Sequence, residues 1–89
     1  YIPWAQKVVR DKDNAIWIQT YEAGVWKLAS DTLIQYPVTH QGEPVRLMTI
    51  ALDQSGALWI GSENAGVFRL FEDTIRNWEF SPVPQSESY

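Results

Sequence analysis

The sequence contains no cysteine, which excludes a disulfide framework and any metal site built from thiolates. No apolar run is long enough to span a bilayer, and no signal peptide is recognisable. Basic residues are also scarce, because 7 Lys and Arg stand against 11 Asp and Glu and leave a net charge of −4. The chain therefore lacks the basic stripe that nucleic-acid binding requires, and we expect no direct contact with an anionic membrane surface.

The residue patterns of an enzyme are missing as well. His40 is the single histidine, and no carboxylate partner or nucleophile is recognisable near it in the sequence. The chain has no glycine-rich phosphate loop, no cluster of metal ligands and no nucleophile motif. We therefore predict no enzymatic activity, no cofactor and no metal, and we interpret His40 as a residue of a surface loop.

Apolar residues, in contrast, are abundant. Hydrophobic residues make up 45% and aromatic residues 13% of the 89 residues, with five Trp, which is too rich for a disordered chain. The length allows one ordinary domain at most, and such a chain is only marginally stable by itself. Since it begins at Tyr1 rather than Met and ends in a tail containing Pro and Ser, we expect a piece of a longer protein or a processed chain.

A repeat with an offset of 42 residues organises the sequence. Residues 11–28 (DKDNAIWIQTYEAGVWKL) return as residues 53–70 (DQSGALWIGSENAGVFRL) without a gap. A repeat of this period is typical of solenoids and propellers. The identical pairs are Asp11/Asp53, Ala15/Ala57, Trp17/Trp59, Ile18/Ile60, Ala23/Ala65, Gly24/Gly66, Val25/Val67, Leu28/Leu70, Asp31/Asp73 and Thr32/Thr74.

Short apolar stretches separated by turn residues predict four strands in each copy. In the first tight turn, Asn14 stands where Gly56 stands in the second copy, and both residue types readily adopt positive φ. A polar connector at residues 39–44 separates the copies, which we place at residues 1–42 and 43–80, with 81–89 as a connector or tail towards a next unit. The predicted strands are residues 5–10, 15–20, 25–29 and 33–38, then 45–52, 57–62, 67–71 and 75–80.

Four short strands joined by short turns describe an antiparallel meander, and no segment shows sustained helical periodicity. Several strands are apolar on both faces, for example residues 15–18 (AIWI), whereas a sheet wetted on one side should alternate. A sheet packed between like sheets explains this pattern. We therefore predict an all-β protein with two four-stranded antiparallel β-propeller blades. Two hairpin layers packed as a small sandwich are the alternative.

The second copy resembles the two-component regulator propeller repeat. Its residues run Asp53, Gly56, LWIGS at 58–62 and GVFRL at 66–70, in the order of that repeat. The first copy departs from the pattern where Asn14 replaces the turn glycine and Gln19 replaces the glycine after Trp-Ile. The resemblance implies a segment of the large periplasmic sensor domains of bacterial hybrid histidine kinases, which often respond to glycans.

Two blades are fewer than such sensors contain, and a pair standing alone would leave two outer sheet faces bare, with tryptophan exposed. We therefore expect further blades in the same chain or from other copies of it; three copies would give six blades and four would give eight. Three functions stay open. They are a ligand-binding sensor segment in signal transduction, a self-assembling two-bladed carbohydrate-binding protein similar in plan to small lectins, and a scaffold for protein interactions.

The repeated tryptophans are interpreted as architecture. We assign Trp17 and Trp59 to the core between blades, in preference to a platform on which a sugar stacks. Lys27 and Arg69, one strand further on, are predicted to hold a solvated or inter-blade charge pair.

The repeated aspartates are interpreted in the same way. A carboxylate before a turn accepts hydrogen bonds from the backbone N–H groups of that turn, which is the role we predict for Asp11 and Asp53. Calcium binding by Asp11, Asp13 and Asn14 is the alternative. The second copy carries Gln and Ser at the corresponding places, which leaves too few oxygens for such a site.

Loops at one end of the strands provide the candidate binding surface. In a blade, the turn between the second and third strands and the connector between blades share one face, and binding residues tend to lie on loops held by a rigid scaffold. Aromatic, acidic and amide groups there suit a polar ligand such as a glycan, and the acidic character favours neutral or cationic ligands over anionic oligosaccharides. The predicted ligand-binding residues are Tyr21, Glu22, His40, Gln41, Glu43, Glu63 and Asn64.

Overall fold

A computed structural model describes residues 5–78, and every regular element in that range is a β-strand. The prediction of an all-β protein is confirmed. Residues 5–78 include no helix that could cross a membrane. The strands are β1 (Ala5–Arg10), β2 (Ile16–Thr20), β3 (Val25–Ala29), β4 (Thr32–Tyr36), β5 (Thr39–His40), β6 (Glu43–Pro44), β7 (Leu47–Leu52), β8 (Leu58–Ser62), β9 (Val67–Phe71) and β10 (Thr74–Trp78).

Eight strands form two four-stranded antiparallel sheets, in which neighbours along the chain are also neighbours in the sheet. Sheet 1 contains β1 to β4, and sheet 2 contains β7 to β10. The predicted bounds of β1, β3 and β9 match the observed ones, and those of β2 and β8 differ by one residue. The end of the last predicted strand, residues 79–80, and the predicted tail, residues 81–89, lie outside the described residues.

The connector between the sheets is more ordered than we predicted. Strands β5 and β6 pair as a hairpin closed by Gln41 and Gly42, which have φ of 53° and 82°. Two-residue turns with positive φ match the twist of the strands they join. Val38 and Val45, predicted to lie in strands, instead close the base of this hairpin, because the Val45 N–H donates to the Val38 carbonyl at 3.1 Å and both side chains are buried. Strand β4 consequently ends earlier, and β7 begins later, than predicted.

The tight turns follow the repeat in backbone conformation. Asn14 and Gly56 have φ of 67° and 93°, which confirms the predicted positive φ at both positions. The two residues of the β3–β4 turn have φ of 49° and 64°, and those of the β9–β10 turn have φ of 49° and 65°. The offset of 42 residues is therefore a repeat of structure as well as of sequence.

The core lies between the two sheets. Cross-strand register places Ile50, Ile60 and Phe68 on one face of sheet 2, where all three are buried. Sheet 1 contributes Trp17 and Val25 to the same core from its facing side. We call these two facing surfaces the inner faces and the opposite surfaces the outer faces. Full burial of one such side chain contributes about 1.5–3 kcal/mol, so this core is the main stabilising contact between the sheets.

The inner face of sheet 1 and the inner face of sheet 2 are built from non-equivalent positions of the repeat. Trp17 lies on the inner face of sheet 1, whereas its counterpart Trp59 lies on the outer face of sheet 2 and is half-buried. Conversely, Ile60 is fully buried on the inner face of sheet 2, whereas its counterpart Ile18 lies on the outer face of sheet 1. The sheets are thus stacked front to back. The assignment of Trp17 to the core between units is confirmed, and that of Trp59 stays a prediction.

Candidate functional site

The predicted ligand-binding residues lie at one end of the strands, which we call the upper rim. It comprises the β2–β3 turn, the connection from β4 to β7 with its hairpin, and the β8–β9 turn, that is, residues 21–24, 37–46 and 63–66. Alternate strands of a meander run in opposite directions, so these connections share an end. The opposite end, which holds the β1–β2, β3–β4, β7–β8 and β9–β10 turns, is the lower rim.

On the upper rim, Tyr21 and Glu63 occupy the same place in the two repeats and contact each other across the sheets. The Tyr21 hydroxyl donates to one Glu63 carboxylate oxygen at 3.3 Å, and Arg46 forms an ion pair with the other at 3.8 Å. The backbone is tied at the same places, because the Leu47 N–H donates to the Tyr21 carbonyl at 2.8 Å and the Glu63 N–H donates to the Arg46 carbonyl at 2.9 Å. Two turns from different sheets therefore form one surface.

Equivalent side-chain hydrogen bonds fix both turns beneath their tips. The Thr20 hydroxyl donates to the Gly24 carbonyl at 2.7 Å and accepts from the Ala23 N–H at 2.8 Å. In the second repeat Ser62 makes the same two bonds at 2.7 and 2.8 Å. Gly24 has a φ of +74°, and a Cβ there would lie 2.3 Å from the Tyr36 carbonyl oxygen. The turn backbones are thus fixed, while the residues at their tips differ between the repeats.

The seven predicted residues differ in exposure. Tyr21 and His40 are partly buried, and the other five are exposed, namely Glu22, Gln41, Glu43, Glu63 and Asn64. Direct contact joins Tyr21 to Glu63, and His40, Gln41 and Glu43 lie on the β5–β6 hairpin of the same rim. Carboxylates, amides and a phenol hydroxyl held together in solvent suit hydrogen bonding to hydroxyl or amine groups of a ligand.

Arg46 belongs to this surface and was not among the predicted residues. Residues 45–52 read as one apolar run, so the expected strand included Arg46. The observed strand begins at Leu47, which leaves Arg46 on the rim beside Glu63. The only sequence signal was a basic residue next to the polar connector, and its acidic partner lies in a different turn.

On the lower rim, each repeat carries an aspartate that binds both its turn and its tryptophan. Asp11 accepts hydrogen bonds from the N–H groups of Asp13 and Ala15 at 2.9 and 3.0 Å. Its second oxygen accepts from the Trp17 indole at 3.0 Å. Asp53 makes the three equivalent bonds at 2.9, 3.0 and 2.8 Å. The predicted bonds from the aspartates to their turns are confirmed, and the bond to the indole was not foreseen.

Both aspartates have a lowered pKa. Burial alone would raise the pKa of Asp11, but hydrogen bonds from the Trp17 indole and the turn N–H groups lower it overall. Hydrogen bonds from the Ser55 hydroxyl, at 2.6 Å, and from the Trp59 indole hold the pKa of Asp53 well below its usual range. These oxygens are engaged by the protein itself, and within residues 5–78 no group of His, Asp and Glu side chains is arranged to hold a metal ion. Both carboxylate oxygens of each aspartate accept hydrogen bonds from the turn or the indole, as the structural interpretation predicts.

The basic residues beside the tryptophans lie over their rings. Lys27 Nζ is 5.1 Å from the centre of the Trp17 ring, and the Arg69 guanidinium carbon is 5.6 Å from that of Trp59. The expectation of a solvated or inter-blade charge pair at these positions missed this cation–π contact within each sheet. The contact leaves less of each ring face open for stacking on a sugar.

A groove of about 270 Å³ opens on the lower rim between the sheets, and sequence reasoning missed it. Across the groove the Tyr36 hydroxyl donates to an Asp73 carboxylate oxygen at 2.5 Å. This bond, together with burial and the charge of Asp73, raises the pKa of Tyr36 to about 12. Lys12 and Glu72 also line the groove. The identity of Asp31 and Asp73 in the repeat was an available signal, but it did not identify a partner in the other sheet.

The chain matches no model of a known protein family, no curated protein and no solved structure. The likeness to the two-component regulator propeller repeat therefore depends on the motif residues themselves.

Proposed function

We propose that the chain is a ligand-binding segment of a β-propeller sensor, resembling the periplasmic sensor of a bacterial two-component system in signal transduction. The observation that carries this proposal is the hydrogen bond of 3.3 Å between Tyr21 and Glu63. It joins equivalent turns of two repeats into one polar surface, which is how a propeller displays a binding face above its blades.

The front-to-back stacking of the sheets supports the propeller part of the proposal. In a sandwich of two like sheets related by a twofold axis, the same face of each sheet would meet the other. Here opposite faces meet, because Trp17 is in the core while Trp59 is on the outside. A propeller repeats such an operation from blade to blade, so sheets 1 and 2 fit two neighbouring blades.

The charges of the upper rim support a ligand class. Three exposed glutamates lie on this rim, namely Glu22, Glu43 and Glu63, and Arg46 pairs with the last of them. Carboxylates accept hydrogen bonds strongly from cationic donors, and they repel anions. We therefore propose a cationic or neutral polar ligand such as an amino sugar or a neutral oligosaccharide.

Isothermal titration with three oligosaccharides of equal length tests this proposal. The probes are a cationic chitosan hexamer, neutral cellohexaose and an anionic hexagalacturonate. We expect affinity to fall in that order. In the E22Q/E63Q variant, binding of the chitosan hexamer should weaken about tenfold or more, because a hydrogen bond to a charged group contributes about 1.5–3 kcal/mol.

The control is E72Q, which removes one exposed glutamate carboxylate from the lower rim and should leave binding unchanged. Tightest binding of the anionic hexamer would contradict the proposed ligand class. Binding that survives replacement of Tyr21, Glu22, Glu63 and Asn64 together would remove the upper rim as the site, and binding of none of the three probes would count against a glycan ligand.

A further inference from the structure

We infer that the outer face of sheet 1 docks against the outer face of sheet 2 of a second copy of this chain, head to tail. The inference concerns the two uncovered sheet faces, and it does not depend on which ligand the upper rim binds. The argument is that these two faces carry mostly similar residues, at equivalent positions of the repeat, to the two faces that already pack together inside the chain.

The outer face of sheet 1 is apolar and open. Val8, Leu28 and Leu33 are 60%, 38% and 41% exposed there. In a single chain these side chains are only partly covered, and burying the rest of their surface would be favourable. Their counterparts at an offset of 42 residues all belong to the core between the sheets or pack against it, and they are Ile50, Leu70 and Ile75.

The outer face of sheet 2 is the counterpart of the inner face of sheet 1. Cross-strand register places Trp59, Val67 and Trp78 on it, and all three are partly buried. At the equivalent places on sheet 1, Trp17, Val25 and Tyr36 form part of the core or pack against it. Docking would therefore repeat a contact that the chain already makes within itself.

The polar contacts at the two rims have counterparts as well. Within the chain the Tyr36 hydroxyl donates to a carboxylate of the β9–β10 turn. At the docked interface the equivalent donor is the Trp78 indole and the equivalent acceptor is Asp31 of the second copy. The Trp78 indole would thus face an acceptor, which avoids the cost of burying it unpaired. At the upper rim, Glu63 of one copy would face Tyr21 of the next, whose hydroxyl can donate to only one of the two Glu63 carboxylates at a time. The Trp26 indole N–H, on the outer face of sheet 1, is already buried without a hydrogen-bond partner within the chain.

The two interfaces are not identical in every residue. Gln19 is buried in the chain and donates to the Leu47 carbonyl at 3.1 Å, whereas its counterpart Gly61 has no side chain to donate. We therefore expect docking to be weaker than the internal contact, so that copies associate at high but not at low protein concentration. A head-to-tail contact of this kind joins unlike faces, so it can extend beyond a dimer or close into a ring.

Sedimentation velocity on the whole chain and on two face-blocking variants tests the inference. V8E/L33E places two carboxylates on the outer face of sheet 1, and A51E/V67E places two on the outer face of sheet 2. Circular dichroism checks that both variants fold. We expect the average mass of the unmodified chain to rise with concentration. Each blocked variant should stay monomeric alone, and an equimolar mixture should form a one-to-one heterodimer through the two intact faces.

The control T39E/Q41E carries the same added charge on the β5–β6 hairpin, which belongs to neither sheet, and it should associate like the unmodified chain. The inference is overturned if the unmodified chain stays monomeric at every concentration. It is also overturned if either blocked variant still self-associates, or if two folded blocked variants fail to pair when they are mixed.

Discussion

Sheets 1 and 2 share their strand order, their turn conformations and the aspartate bound to a tryptophan, yet they bury opposite faces. Ile50 of sheet 2 is fully buried, whereas its counterpart Val8 in sheet 1 is 60% exposed. Trp17 of sheet 1 is 6% exposed, whereas its counterpart Trp59 is half-buried on the outside. The difference shows that burial in this repeat is set by position in the stack, because equivalent side chains are buried in one sheet and exposed in the other.

The largest expected difference between the two sheets is in the loss of stability when a core side chain is shortened. Ile60→Ala should lower the free energy of unfolding by about 2–5 kcal/mol, because the side chain is fully buried. The same change at the counterpart, Ile18→Ala, should cost clearly less, because Ile18 lies on the uncovered face of sheet 1. Urea unfolding at low protein concentration measures both. Equal losses would show that the two faces are equally buried.

A backbone comparison comes next in size. Gly24→Ala introduces a Cβ that would lie 2.3 Å from the Tyr36 carbonyl oxygen, in addition to the strain of positive φ. Gly56→Ala meets open space and should cost only the backbone strain, about 1–2 kcal/mol.

Gly56→Asn is the matched control for this pair, because Asn14 holds the same conformation in the first repeat. It should cost least of the three, as measured by thermal unfolding. A Gly56→Asn variant as unstable as Gly24→Ala would contradict the structural equivalence of the two turns.

The pH dependence of stability compares the two aspartates. Both have a folded-state pKa below the ordinary value of 3.8, so their stabilising contribution is present above pH 3.8 and is lost as the pH falls through the lower folded pKa. Urea midpoints measured from neutral pH into this acid range should therefore decrease.

Replacement of Asp11 or of Asp53 by Asn should each flatten this decrease, and the double variant should flatten it further. If only one of the two single replacements flattens the decrease in urea midpoint, the two aspartate–tryptophan bonds are not equivalent.

The smallest expected effect concerns Tyr36 and Trp78, equivalent positions at which the two repeats carry different residues. Tyr36 has a pKa of about 12, whereas its counterpart Trp78 does not titrate. Asp73→Asn should bring the pKa of Tyr36 back towards its usual 10, as followed by ultraviolet absorbance. Because the folded pKa is raised, the associated stability is present below pH 10 and is lost as the pH rises through about 12. Asp31→Asn should leave this titration unchanged in the monomer.

Local signals were sufficient to predict most strands and the first tight turn of each repeat. Asn14 and Gly56, at equivalent positions of the repeat, correctly predicted a positive φ in this turn. The turn residues between apolar stretches predicted the bounds of β1, β3 and β9 without error. The stacking of the sheets was not predictable in the same way, because Trp17 and Trp59 are identical in sequence and differ only in which neighbour covers them. The role of Arg46 was not predictable either. Its ion-pair partner, Glu63, lies in the β8–β9 turn, and only the folded structure brings the two residues together.

Cross-linking at equivalent positions of the repeat tests head-to-tail stacking most directly. Because the chain contains no cysteine, only the introduced cysteines will react. In Y36C/D73C, a short bismaleimide should link the two sheets within one chain. The native Tyr36 hydroxyl and Asp73 carboxylate oxygen are 2.5 Å apart, so the two positions face each other within reach of the reagent. In a concentrated mixture of D31C and W78C chains, the same reagent should link residue 31 of one copy to residue 78 of another, with few links between like positions. If the internal link forms while no link from 31 to 78 does, or if like positions link as readily, head-to-tail stacking is contradicted.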